Sequence, residues 1–128
     1  MEKQSGQKTI LVIDDDALQI KTLEKKLPEN GYHVLTATKA ADGLQIAMKK
    51  YPDLIILDVM MPIINGYNLC QLLKNDPKHK DIPIIMLTSR DSEKDKKIGQ
   101  DVGADVYLVK PLDIPLLLTK IKELLARP

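Results

Sequence analysis

The stretch Tyr51-Pro52-Asp53-Leu54-Ile55-Ile56-Leu57-Asp58-Val59-Met60-Met61-Pro62 decides the fold. Its centre is an unbroken apolar run, Leu54 to Leu57, entered through Tyr51-Pro52 and left at a carboxylate. A strand with one wet face alternates apolar and polar residues, whereas a strand covered on both faces does not. This run therefore reads as a strand of a parallel sheet with both faces covered. Two further unbroken runs flank it in the chain, Ile10-Leu11-Val12-Ile13 and Ile84-Ile85-Met86-Leu87. Val106-Tyr107-Leu108-Val109 reads as a last strand, and the shorter Val34-Leu35, between His33 and Thr36, as an edge strand.

The segments between these runs carry helical spacing. Ile20, Leu23 and Leu27 share a face, as do Leu44, Ala47 and Met48, then Leu69, Cys70 and Leu73, then Leu118, Ile121 and Leu125. In Ser92 to Val102 only Ile98 and Val102 pair at this spacing, amid Lys94, Lys96 and Lys97. Ser92-x-x-Asp95 resembles a capping box, so this segment reads as a weakly held helix with a solvated lysine face. Gly31, Pro52, Pro83 and Gly103 punctuate the strand starts, and Asp113 is placed to cap a last helix that tolerates Pro115 in its first turn. The order is βαβαβαβαβα. Right-handed crossovers turn that order into an open parallel sheet with helices on both faces, a doubly wound α/β fold.

At 128 residues, with 44% hydrophobic and 29% charged residues, the chain has the length and composition of one ordinary globular domain. A formal net charge of +1 gives no electrostatic case for nucleic acid or a membrane, and four Tyr without Phe or Trp give no base-stacking platform. The single cysteine, Cys70, lies on an apolar stripe and reads as core in a reducing compartment. The N-terminal residues hold no apolar signal-peptide segment, and no apolar run reaches the roughly 18 residues of a membrane span. A soluble, cytoplasmic protein is the expectation.

In a sheet of this kind, ligands bind beyond the carboxyl ends of the strands. Asp14, Asp15 and Asp16 follow the first run, Asp58 the third, Thr88-Ser89 closes the fourth and Lys110-Pro111 the fifth. Carboxylates crowded at one rim repel, and one of them takes up a proton unless a cation joins them. Carboxylate and carbonyl oxygens suit Mg²⁺. With a dication present, an ionised carboxylate can attack a phosphoryl donor and form an aspartyl phosphate. Thr88 is suited to donate to one phosphoryl oxygen and Lys110 to neutralise another. With strands about 4.8 Å apart, Lys110 would span a gap of roughly 10 Å to Asp58, which a long lysine largely covers.

Asp14-Asp15, Asp58, Thr88 and Lys110-Pro111, in this order at strand ends, resemble the response-regulator receiver domain of two-component signalling. The resemblance covers residues 9–126, with residues 1–8 as a tail and residues 127–128 as a terminal or linker stub. It implies a flavodoxin-like (βα)5 fold with strand order 2-1-3-4-5. It implies Asp58 as phosphoacceptor, and Mg²⁺, with Mn²⁺ able to substitute, held by Asp14, Asp15, Asp58 and the backbone carbonyl of Met60. Thr88 and Lys110 would contact the phosphoryl group, Tyr107 would be the switch aromatic that moves as Thr88 is drawn inward, and the Lys110-Pro111 bond would be cis. A histidine kinase or His-containing phosphotransfer protein would be the donor. The fourth helix, fifth strand and fifth helix would form the output surface and a homodimer interface.

Other residues carry plainer readings. Asp16 suits a helix start, where acids favour the dipole. His33 and His79 stand in polar surroundings and receive no catalytic or metal role. Met60 and Arg90, two residues beyond Asp58 and Thr88, offer no carboxylate or amide to orient an attacking water, so slow autodephosphorylation is expected. An aspartyl-phosphate hydrolase of the haloacid-dehalogenase type would leave Asp58 idle. A flavodoxin-type binding module would want a phosphate-cradling glycine loop, and a silent receiver would not need the whole residue set. The chain thus reads as modifying only itself, not as an enzyme for an outside substrate. It works alone or as one piece of a larger protein.

Overall fold

The computed structural model describes residues 3–61 and 64–127. Pro62, in the loop after the proposed acceptor, and the terminal Pro128 lie outside the described residues. Five strands alternate with five helices: β1 Thr9–Ile13, α1 Ala17–Glu29, β2 His33–Ala37, α2 Ala40–Lys50, β3 Leu54–Leu57, α3 Gly66–Lys74, β4 Ile84–Thr88, α4 Glu93–Asp101, β5 Val106–Val109 and α5 Ile114–Leu125. All pairings are parallel and the order is β2-β1-β3-β4-β5, with β2 at an edge as its mixed sequence indicated.

Why the central runs are unbroken is visible in the packing. Side chains alternate between faces along a strand. Ile10, Val12, Leu54, Ile56, Ile85 and Leu87 pack with α1 and α5 residues Ile20, Leu23, Leu27, Leu117, Ile121 and Leu124. Their neighbours Leu11, Ile13, Ile55, Leu57, Ile84 and Met86 pack on the other face with Ala47, Leu69, Cys70 and Leu73 of α2 and α3. Both faces are covered, so neither set can be polar.

Two readings from the sequence need correction. The α5 face is rotated by one position: Leu117, Ile121 and Leu124 are buried, while Leu118 and Leu125 flank them. Leucines fill both candidate stripes, so periodicity could not choose between them and docking did. His79 is not in polar surroundings. The loop that carries it folds back through Lys80 N–H to Asp76 carbonyl, 2.9 Å, and Ile82 N–H to His79 carbonyl, 3.1 Å. The ring is buried, stacked on Tyr51 with centroids 4.7 Å apart, and its Nδ1 meets the Asp76 carboxylate.

The weak hold on α4 is as expected. Ser92 Oγ accepts from Asp95 N–H at 3.0 Å, and Gly99 is the one buried residue of the helix. A β-carbon there would lie 2.7 Å from the Tyr107 ring, so α4 rests on β5 through bare backbone. Among the described residues no helix is long and apolar enough to cross a membrane.

The sheet base, opposite the acidic rim, is closed by Asp105. Its Oδ2 accepts from Ile84 N–H at 2.9 Å and Lys74 Nζ at 3.0 Å, while Oδ1 meets Arg127 at 3.3 Å. Lys74 also donates to the Ile82 carbonyl at 2.8 Å. Asp105→Ala removes the acceptor from a buried N–H and a half-buried ammonium together. It is expected to cost about 1–3 kcal/mol, read as a lower urea midpoint with an unchanged slope.

Candidate functional site

Asp14 follows β1 and is 2% exposed; Asp58 follows β3 and is 5% exposed. Backbone pairing sets both: Asp14 N–H donates to the Ala37 carbonyl at 3.1 Å and Asp58 N–H to the Ile13 carbonyl at 3.0 Å. Asp14 Oδ1 accepts from Asp16 N–H at 2.9 Å, and Asp58 Oδ1 from Met60 N–H at 3.2 Å. Asp15 is exposed beside them. One oxygen from each of Asp14, Asp15 and Asp58 lies within 4.8 Å of the others. Asp16 turns away to cap α1, accepting from Leu18 N–H at 3.0 Å and Gln19 N–H at 3.4 Å. The plainer reading of Asp16 holds.

Lys110 enters from β5. Its Nζ lies 3.0 Å from Asp14 Oδ2 and 3.6 Å from Asp58 Oδ2, so the side chain passes β4 and reaches beyond Asp58. Its backbone N–H donates to the Thr88 carbonyl at 2.7 Å, which joins the ends of β4 and β5, and the Lys110-Pro111 bond is cis. Thr88 is fully buried, with Oγ1 accepting from Arg90 N–H at 3.4 Å.

Burial pushes the Asp14 carboxyl up to about 6, with the charge of Asp58 adding to it against the hydrogen bonds from Asp16 and Lys110. For Lys110, burial works against the ammonium, but its hydrogen bond to Asp14 and the charges of Asp14 and Asp58 outweigh it and raise its pKa. The cluster is thus short of positive charge even with the lysine in place. Hard oxygen donors, two of them nearly dry, fit a divalent cation such as Mg²⁺.

Gly66 fixes the backbone that follows β3. Its N–H donates to the Val59 carbonyl at 2.9 Å, and a β-carbon on it would fall 2.3 Å from the Asp58 carbonyl oxygen. The first residue of α3 therefore sits directly on the backbone of Asp58. Met60 is 48% exposed, and its sulfur accepts from Ser89 Oγ at 3.4 Å. Arg90 is drawn to Asp95, 3.5 Å away. Met60, Met61, Asn65, Tyr67 and Arg90 line a shallow cavity of about 270 Å³ beside Asp58. A larger hollow of about 420 Å³ lies at the sheet base among Lys8, Asp53, Asp81 and Arg127. Converging carboxylates, rather than volume, mark the rim.

Tyr107 stands apart from the carboxylates. Its hydroxyl donates to the Arg90 carbonyl at 2.9 Å and meets the Tyr67 hydroxyl at 3.2 Å. Tyr67 and Gly66 were not singled out by sequence. The available signals were an Asn65 cap followed by a glycine at the first helical position, and a tyrosine three residues before Cys70 on the α3 stripe.

Comparison with known proteins agrees with this arrangement. Residues 10–122 match the response regulator receiver domain family. The DNA-binding dual master transcriptional regulator RpaA of Synechocystis sp. is 41% identical over 118 residues, covering 92% of this chain and 49% of RpaA. The chain spans about half the length of this curated relative. Chemotaxis protein CheY4 of Vibrio cholerae has a similar structure, with a TM-score of 0.87, 32% identity, and coverage of 93% of this chain and 99% of that one. A CheY-like receiver domain protein of Methanospirillum hungatei gives a TM-score of 0.88 at 30% identity, covering 94% of both chains. With the flavodoxin-like sheet order and the acidic rim in place, the chain belongs to the response-regulator receiver domain family.

Proposed function

We propose that Asp58 accepts a phosphoryl group in a Mg²⁺-dependent reaction, from a histidine kinase or a His-containing phosphotransfer protein. The observation that carries this reading is the convergence of Asp14, Asp15 and Asp58 within 4.8 Å, with the Lys110 ammonium against two of them. Asp14, Asp15, Asp58 and the Met60 carbonyl would hold Mg²⁺, or Mn²⁺ in its place. When bound, the cation neutralises the rim enough for an anionic donor to approach. Asp58 attacks phosphorus, an O–P bond forms, and the P–N bond of the donor breaks, with the imidazole leaving and taking up a proton. Met60 N–H holds Oδ1 of Asp58, which leaves Oδ2 toward Lys110.

Phosphorylation then works as a population shift: Thr88 and Lys110 contact the phosphoryl group in one arrangement better than in the other, and Tyr107 follows Thr88. The α4–β5–α5 surface carries the output, to a partner, an attached domain or a second copy of the chain. The domain modifies only itself and does not itself contact nucleic acid. It works in the cytoplasm. The DNA binding named for RpaA would belong to a region outside the shared part.

Incubation with Mg²⁺ and phosphoramidate should leave one base- and hydroxylamine-labile phosphate on Asp58. Asp58→Asn should reduce labelling to background. Labelling that persists in that variant would refute the assignment, and multiple turnover of a phosphate ester would favour a hydrolase. Lys110→Ala should still label but lose the downstream response. Thr88→Ala should weaken that response more than the affinity for Mg²⁺.

Mg²⁺ binding requires Asp14 ionised, and its carboxyl is raised to about 6. Affinity should therefore fall as pH drops through that value, about tenfold between neutral pH and one unit below the pKa. Calorimetric titration should show this, and a flat profile would count against Asp14 as a ligand. Because Met60 and Arg90 position no water, the acyl phosphate should decay over minutes to hours. Decay within seconds, followed by loss of label, would contradict this.

A further inference from the structure

The Tyr67 hydroxyl occupies a junction between three elements. Tyr67 is 9% exposed, on α3 immediately after Gly66. It donates to the Asp95 carbonyl, 3.0 Å away in the first turn of α4, and its oxygen lies 3.2 Å from the Tyr107 hydroxyl on β5. Asp95 Oδ1 is farther, at 3.4 Å, and that carboxylate is already engaged by Ser92 and Arg90. Two phenolic protons thus serve one cluster. With Tyr107 donating to the Arg90 carbonyl at 2.9 Å, the Tyr67 proton is shared between the Asp95 carbonyl and the Tyr107 oxygen.

This arrangement favours one rotamer of Tyr107. Turning its ring away would leave the exposed Arg90 carbonyl to water and take one of two acceptors from the nearly buried Tyr67 hydroxyl. Partners lost by buried polar groups cost more than the same bonds gain in water. Gly99 provides the flat backbone against which the ring lies, and a β-carbon there would stand 2.7 Å from it. At the other end, Gly66 seats α3 on the Asp58 carbonyl. The acceptor backbone is therefore joined to Tyr107 by a route that does not pass through Thr88.

We propose that Tyr67 is a positioning residue: its hydroxyl holds Tyr107 in the Arg90-facing rotamer and so sets the resting balance of the switch. The proposal deepens the proposed function and rests on its reading of Tyr107 as the switch aromatic. Its geometric part stands on the hydroxyl pair alone.

The test uses Tyr67→Phe, which keeps the ring and its packing, in the full unphosphorylated chain without metal or donor. Rotamer populations of residue 107 are read from NMR three-bond couplings. The ratio of other rotamers to the Arg90-facing one should rise about two- to tenfold, the loss of one net hydrogen bond. In a Tyr107→Phe background, Tyr67→Phe should produce no further shift. The proposal is overturned if the ratio stays at the wild-type value. It is equally overturned if the shift is as large without the Tyr107 hydroxyl, since Tyr67 then acts only on α4 through Asp95. Labelling of Asp58 by phosphoramidate and Mg²⁺ is measured in parallel. Absent labelling in wild type would defeat the acceptor assignment while leaving the rotamer result readable.

Discussion

Two carboxylates almost shut off from water, Asp14 and Asp58, share one ammonium from Lys110, and the architecture of the rim follows from this shortage of positive charge. Burial opposes ionisation at Asp14, and the neighbouring Asp58 opposes it further. The arrangement persists because the backbone leaves no alternative. Each aspartate is pinned by its own N–H to the adjacent strand and by a following N–H to one carboxylate oxygen. Such a site has a standing electrostatic demand for a cation, and the proposed chemistry uses that demand.

The sheet order makes the demand possible. With β1 and β3 adjacent, their ends place the acids side by side, and β4 and β5 follow on one flank with Thr88 and Lys110. The second covered face supports the same rim from below, through α3. Gly66 brings the helix start against the Asp58 carbonyl, where any side chain would push it away. Tightly packed elements of this kind move between discrete arrangements rather than deforming smoothly.

The α4 side of the sheet differs in character. α4 buries only a glycine and is held by its Ser92 cap, a tyrosine pair and the backbone on β5. Few apolar contacts mean that its position rests on hydrogen bonds of modest net worth. A segment of this kind shifts at small free-energy cost.

Much of this was legible in the linear chain. Unbroken apolar runs identified doubly covered strands, the mixed run around Val34 identified an edge, and the polar residue after each run located the rim. These are local periodicities, written within a few residues. Asp16 at a helix start and Cys70 as core were readable for the same reason. What the chain could not specify alone depends on residues distant in sequence. Lys110 was expected to reach towards Asp58, and it does, but its closer contact with Asp14, 96 positions away, was not legible. The polar surroundings expected for His79 were not found because its cover, Tyr51, comes from another loop. The α5 face was ambiguous between two leucine stripes until docking selected one. The meeting of Tyr67 with Tyr107 required α3 and β5 to converge over α4. Local sequence determined which elements form and what each carries to its end. Sheet order and helix docking determined which of those groups touch, because contact between remote residues is a property of the assembled layers.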